Sequence, residues 1–400
     1  MVGRRAAALA SLALLAAGCG SSSSSPHGRL IASGPKGVVR IALAHILWPL
    51  DPARAQGRDE IALARVLFAT PLQTDPVTGA LRPGLCTRWN SSPDGRTWRL
   101  RCSDALAIGG TLRRLAGVRR VEQHGSRTLV VSLRAPAPRF PYELTAVTAA
   151  PPTVPGPFQL VSASPTKIVA RRPGLRLVFR RLEPHAALRE FRAGRLDEAP
   201  VPLGDLQAAL RDSELKPAVR VQRLLAVDLV AFDLHRGSLA HLPELRGVYD
   251  ATADRADYQA LVPEFEAPPA ENLVDRGPPN AREALLRTRR AKQEISSLPK
   301  VAVRIAIPAD PDLAYGAGLL VAAWRDIGLG AMLGGKPTDA RFERLLSAYP
   351  RLEALTAAAP AGAVPIAWVV DARLVSPRLR GWREDELGAV DYTSVTASAK

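Results

Sequence analysis

The sequence predicts an α/β protein of more than one domain, and three observations carry that reading. Its 400 residues, 47% of them hydrophobic, can bury a large core and exceed the usual size of one domain. Near the front, an apolar strand, Val38 to Leu43, is followed by a break at Trp48-Pro49-Leu50-Asp51-Pro52 and an amphipathic segment, Ile61 to Phe68. Further on, a strand at Leu175-Arg176-Leu177-Val178-Phe179-Arg180 precedes two short helices, Pro184 to Ala193 and Leu203 to Leu210, a βαβ-like pattern.

The remaining elements follow in order. Ser92-Pro93-Asp94-Gly95-Arg96-Thr97-Trp98 has the composition of a tight turn between two strands. Cys86 and Cys102 stand symmetrically about Asp94, so strands paired around that turn would bring the two sulfurs together. Outside the cytoplasm they would form a disulfide; two free buried thiols are the alternative. Thr128 to Leu133 alternates as a strand. Gly156-Pro157-Phe158 marks a turn into another strand, with Gly156 allowing a backbone shape that a side chain would forbid. Gly194 stops the helix before it. Val227 to Asp233 reads as a strand, and Leu245 to Arg255 as a helix. Ala267 to Pro279 is Pro-rich and reads as loop, and Ala281 opens a helix. Val301 to Ile307 alternates as a strand, and Leu313 to Ile327 is a helix with Trp324 and Ile327 on one face, placed for packing. Ile366 to Asp371 reads as a buried strand.

At the N-terminus, Arg4-Arg5 precede the apolar run Ala6 to Ala17, which is too short to span a bilayer and reads as a signal peptide. It ends Leu15-Ala16-Ala17-Gly18-Cys19, which resembles a bacterial lipobox with Ala16 where leucine is usual. Cys19 is then the expected site of lipidation, and Gly20 to Ser25 a flexible tether.

Several of these pieces together resemble the extracytoplasmic solute-binding proteins of peptide and nickel ABC importers, the family-5 type. The resemblance rests on the strand, the Leu50-Asp51-Pro52 break and the helix that follows. It rests also on Asp75-Pro76-Val77-Thr78-Gly79 with Pro83 and Leu85, on Trp89, and on the Asp94-Gly95 turn. Further matches are Gly156-Pro157-Phe158-Gln159-Leu160, Gly194-Arg195-Leu196-Asp197-Glu198-Ala199, Leu245 to Arg255 and Trp324-Arg325-Asp326-Ile327-Gly328. Two family features depart. The helix expected after the hairpin is shortened or lost from Gly109 onward, and the segment whose aspartate takes a peptide's amino terminus has no counterpart between Gly330 and Pro365.

The resemblance implies a two-lobed periplasmic-binding-protein-like fold, type II of the peptide-binding cluster, with an extra β-rich subdomain. Residues 1–18 would be signal peptide and 19–37 the lipidated cysteine and tether. The first lobe with the hairpin subdomain would take 38–227, the second lobe 228–364, and 365–400 would return to the first. The implied function is that of a substrate-binding lipoprotein of an ABC importer. It would hold a peptide or similar small solute between the lobes and deliver it to permease subunits, as a monomer anchored to the cell membrane. The alternative is a non-transport derivative of the fold, a surface scaffold or regulatory lipoprotein. Four residues are candidates for ligand contact. Trp48 could stack on a ligand or pack in the core; Asp51 could reach the cleft or cap a turn. Trp368 lies in an apolar run that suits a core, and Asp371 could replace the missing amine partner.

No cofactor, metal or catalytic role is expected. The histidines are isolated, with only His235 and His241 near one another, and HExxH, GxSxG, CxxC and P-loop motifs are all missing. The net charge of +16 invites a polyanionic partner. However, the arginine pairs (Arg113-Arg114, Arg119-Arg120, Arg171-Arg172) are scattered, and aromatics, at 5%, do not interleave with them. A solvated surface is therefore the reading, without nucleic acid; binding of wall polymers is the weaker option.

Overall fold

A computed structural model describes residues 34–55, 57–75, 78–235, 242–253, 281–349 and 352–399. The signal peptide, Cys19, the Ser tract, His241 and the Pro-rich stretch at 267–279 lie outside the described residues. The chain opens with β1 (Val38–Leu43), α1 (Arg58–Leu67), the short strands β2 (Leu72–Thr74) and β3 (Leu81–Pro83), and then β4 (Cys86–Ser91) and β5 (Thr97–Cys102). Next come α2 (Ala105–Leu112), β6 (Val118–His124), β7 (Thr128–Leu133), α3 (Phe140–Glu143), β8 (Gln159–Ser164), β9 (Lys167–Arg172) and β10 (Leu175–Arg181). The series α4 (Pro184–Arg192), β11 (Glu198–Pro200), α5 (Leu203–Arg211) and β12 (Val219–Phe232) leads into the second half. That half holds α6 (Pro243–Ala251), α7 (Ala281–Glu294), β13 (Ala302–Ala306), α8 (Pro311–Asp326), β14 (Gly330–Leu333), β15 (Ala340–Leu346) and α9 (Leu352–Ala358). The chain closes with β16 (Ala363–Val375), β17 (Leu379–Arg380) and β18 (Thr396–Ala397).

One ten-stranded mixed sheet runs in the order β14-β13-β15-β12-β16-β11-β1-β10-β9-β8. Its centre is the antiparallel pair β12 and β16, 14 and 13 residues long. Both are longer than a usual strand because they serve two cores. The start of β12 pairs with the end of β16 (Val219 opposite Leu374), and the end of β12 pairs with β15 (Val230 opposite Phe342). The register of the pair shifts between Arg223 and Val227 and again at Leu229, which lies opposite Pro365. A proline donates no backbone hydrogen bond, so a register irregularity is where a sheet tolerates one. β16 begins at Ala363, three residues ahead of the sequence expectation, and takes that proline in.

On the first-lobe side, one sheet face buries Ile41, Leu63, Phe158 and Phe179. The other buries Phe191, Leu196, Leu206 and Leu374 under α4 and α5. On the second-lobe side, Tyr249 and Trp324 meet edge to face, 4.9 Å between centroids, over Val303, Ile305 and Phe342. The Tyr249 hydroxyl donates to the Gly330 carbonyl at 2.5 Å, which gives this buried phenol its partner. Among the described residues no helix is long and apolar enough to cross a membrane.

The hairpin subdomain is a separate antiparallel sheet, β4-β5-β7-β6. Its inner face (Leu100, Cys102, Leu129, Val131) packs with Ile108 and Leu112 of α2. A helix after the hairpin is present, eight residues capped by Asp104, whose carboxylate accepts from Ala107 N–H. The turn falls where expected, with Gly95 at φ 66°, and Cys86 and Cys102 form a disulfide. With the two cysteines 16 positions apart, reduction should cost about 3 kcal/mol in the chain-entropy model. Urea melts with and without reductant test this; coincident curves would contradict it. Gly156 earns its place by close approach, since a Cβ there would stand 2.6 Å from the backbone nitrogen of Phe68.

Candidate functional site

The strands β1, β10 and β11 are parallel neighbours in the sheet. Their carboxyl ends deliver Ala44 and His45, Arg181 and Leu182, and Val201 to one cavity of about 650 Å³. The crevice outside strand carboxyl ends is where open α/β sheets hold ligands, and this volume suits a small molecule. Pro184 and His185 at the start of α4, and Gly204 and Asp205 at the start of α5, extend the same wall. The second-lobe side contributes Asp310, Tyr315 of α8 and Arg344 of β15. The crossing strand β16 lays Val370, Asp371 and Ala372 along it. The cavity therefore lies between the two lobes.

Its charged groups are mostly engaged by the protein. Arg344 makes a two-pronged contact to the buried carboxylate of Asp228, at 2.7 and 2.9 Å. His185 Nδ1 lies 2.9 Å from Asp205. The Glu183 carboxylate accepts from the backbone N–H groups of His185 and Ala186, and Asp310 accepts from Leu313 N–H. These are helix-start positions, where a carboxylate also meets the positive end of the helix dipole. Arg181 has no side-chain ion pair among the described residues.

Beneath Asp371 is a buried ionic cluster. Asp371 accepts from Arg58 of α1 and, at 3.0 Å, from Nε of Arg373. Arg373 also donates to Glu198 at 2.5 Å and lies 3.3 Å from Glu384. Burial tends to lower the pKa of the Arg373 guanidinium, but the surrounding carboxylates, Glu384 and Glu198 first, more than reverse this. The Glu384 carboxyl is raised by burial. Burial opposes ionisation of Asp59, but Arg58, Arg373 and two backbone N–H groups hold its pKa below the usual carboxylate range. Trp382 Nε1 and the Tyr392 hydroxyl both donate to Glu198 at 2.9 Å, joining the C-terminal segment to the first lobe. Next along the chain, Asp197 is clasped by Arg40 and Arg378.

Of the four candidate contact residues, the structure brings only Asp371 to the cavity. Trp48 is 48% exposed and outside the lining. The Asp51 carboxylate accepts from Ala53 N–H and caps a 3-10 turn over Pro52–Arg54. Trp368 is buried with Val227, Leu229 and Leu355 in the crossing region. The lining residues Arg58, Arg181, His185 and Arg344 carry no motif; their meeting depends on sheet order, which spacing alone does not reveal.

No protein-family model matches the sequence, and no curated protein does. Solved structures match closely in shape. Haemophilus influenzae OppA in complex with RPPGFSPFR is 16% identical with a TM-score of 0.76, the match covering 91% of this chain and 99% of that one. The Escherichia coli murein tripeptide binding protein MppA is 17% identical at a TM-score of 0.76, covering 92% and 99%. NikZ from Campylobacter jejuni in complex with Ni(L-His) is 14% identical at 0.69, covering 89% and 97%. The chain has the two-lobed fold of the family-5 extracellular solute-binding proteins, as its motifs led one to expect.

Proposed function

We propose that this chain is the substrate-binding lipoprotein of an ABC importer, with no catalytic activity. It would hold a peptide or similar small solute in the interlobe cavity and deliver it to a membrane permease, tethered outside the cytoplasm through lipidated Cys19. The observation that carries this reading is the open cavity of about 650 Å³ at the carboxyl ends of β1, β10 and β11, faced by residues of both lobes. The matching structures include complexes with a peptide and with Ni(L-His), which supports a small solute here. A second reading, a surface scaffold or regulatory protein on the same fold, is favoured by one feature: each acidic group lining the cavity already has a protein partner.

Gly204 allows a direct test, because a Cβ built there meets nothing within 4 Å. A Gly204→Trp side chain should fill cavity space without displacing the wall. Native mass spectrometry of the protein from its own host should show a bound small molecule in wild type and its loss in Gly204→Trp, at unchanged folding. A bare chain mass for wild type from its own host, with no thermal shift from any solute pool, would favour the scaffold. Palmitate incorporation abolished by Cys19→Ala tests the anchor separately.

A further inference from the structure

The solvent face of the hairpin subdomain carries a cluster of cations that no binding role within the cleft uses. Between Cys86 and Arg88 the register of β4 on β5 shifts by one residue. Cys86 faces inward with Cys102, but beyond the bulge Arg88 lies opposite Arg101 and Asn90 opposite Arg99. A strand shifted by one residue turns its side chains to the other face. Arg88 is thereby exposed beside Arg99 and Arg101, also exposed. The neighbouring strands continue the same face with Thr128 and Val130 of β7 and with Glu122 and His124 of β6. Its acid, Glu122, is already engaged by Arg120 at 2.9 Å and His124 at 3.5 Å. Arg88, Arg99 and Arg101 have no ion pair among the described residues.

Like charges directly opposite one another weaken a sheet. Arg88 facing Arg101 is such a pair, so the arrangement works against folding and calls for an external counter-charge. Neighbouring positions across the sheet are about 5 Å apart, and alternate positions along a strand about 7 Å. The three cations therefore spread in two directions over an open face and do not follow a single line. That geometry suits a plane of anionic groups better than a linear polymer, and no aromatic on this face offers stacking to bases, since Trp89 and Trp98 pack inward.

We infer that this face docks on the phosphate headgroups of an anionic lipid bilayer. The choice of a bilayer rests in part on the proposed anchor at Cys19, 15 positions before Gly34 in the sequence, which would keep the protein near the membrane surface. Docking would set the orientation in which the tethered molecule meets a membrane partner.

The test compares binding of the full chain to vesicles containing phosphatidylglycerol with binding to pure phosphatidylcholine vesicles. The ratio of the two affinities cancels any contribution of the N-terminal apolar run. Wild type should prefer the anionic vesicles, with the preference falling steeply as salt rises. An Arg88→Thr, Arg99→Thr, Arg101→Thr triple variant should lose about a hundredfold in that ratio, at about fivefold per arginine. A control with the same charge change at exposed positions of α7, Arg282→Gln, Arg289→Gln, Arg290→Gln, should lose much less. The single variant Arg88→Thr should fold with an unchanged or raised Tm, because it relieves the Arg88–Arg101 opposition. Equal losses in patch and control, no preference in wild type, or tighter binding to soluble polyphosphate at matched phosphate would each overturn the proposal. Since the ligand cavity contains none of these residues, solute binding should persist in the triple variant whichever way the vesicle result falls.

Discussion

Arg373→Leu is expected to destabilise the protein by about 3–5 kcal/mol at neutral pH, the cost of breaking a buried ion network from one side. The side chain is about 1% exposed and touches groups from three parts of the chain: Glu198 of β11, Asp371 of β16 and Glu384 of the C-terminal segment. Asp59 of α1 lies 3.8 Å away. Leucine fills much of the volume but removes one of the two guanidinium groups, leaving Arg58 to face four carboxylates. In the variant Glu384, already raised by burial, and Asp59 both lose a neighbouring cation that favours their charged forms, so both pKa values rise relative to wild type. A carboxyl raised by folding contributes stability below its unfolded pKa and loses it as pH rises through the folded value. The deficit relative to wild type should therefore be greatest at neutral pH and shrink below about pH 4.5. Denaturant melts of both proteins across that range check it. A deficit under 1 kcal/mol at pH 7, or one that grows on acidification, would show that the cluster does not hold the C-terminal segment to the first lobe.

Trp324→Ala should cost about 3–5 kcal/mol through a different mechanism, a cavity in the second-lobe core. Trp324 is fully buried against Tyr249, and its indole N–H has no hydrogen-bond partner among the described residues. The unmet donor implies that shape, and not polarity, fixes this residue, so Trp324→Phe should cost clearly less than Trp324→Ala. Equal losses in thermal melts of the two variants would contradict that account.

These two residues also show what was legible beforehand. Trp324 sits on one face of a helix, and that periodicity is local, so its packing role could be read from residues a few positions apart. The strands Val38–Leu43 and Thr128–Leu133 were legible for the same reason: alternation and turn residues bound them on both sides. The disulfide followed from symmetry about one turn. Arg373 gave no such signal, because apart from Asp371 two residues before it, its partners are Glu198, 175 residues away, Asp59 on α1 and Glu384 in the C-terminal segment, which only the folded topology brings together. β15 was missed because Arg341, Glu343 and Arg344 interrupt its apolar pattern; Arg344 is there to meet Asp228 on the adjacent β12. The face formed by Arg88, Arg99 and Arg101 was hidden by a one-residue bulge, which reverses the facing of Arg88 and left the charge looking scattered. Within the cavity, Asp371 was singled out, while the lining contributed by three strand ends required the topology itself.

In the proposed function, two lobes joined by β12 and β16 shut on a small solute held between them. Small-angle X-ray scattering on protein from its own host, before and after its bound molecule is stripped, tests this most directly. The radius of gyration should rise on stripping and return when the extracted molecule is added back. A single scattering curve throughout, from a chain whose native mass carries no added molecule, would contradict it.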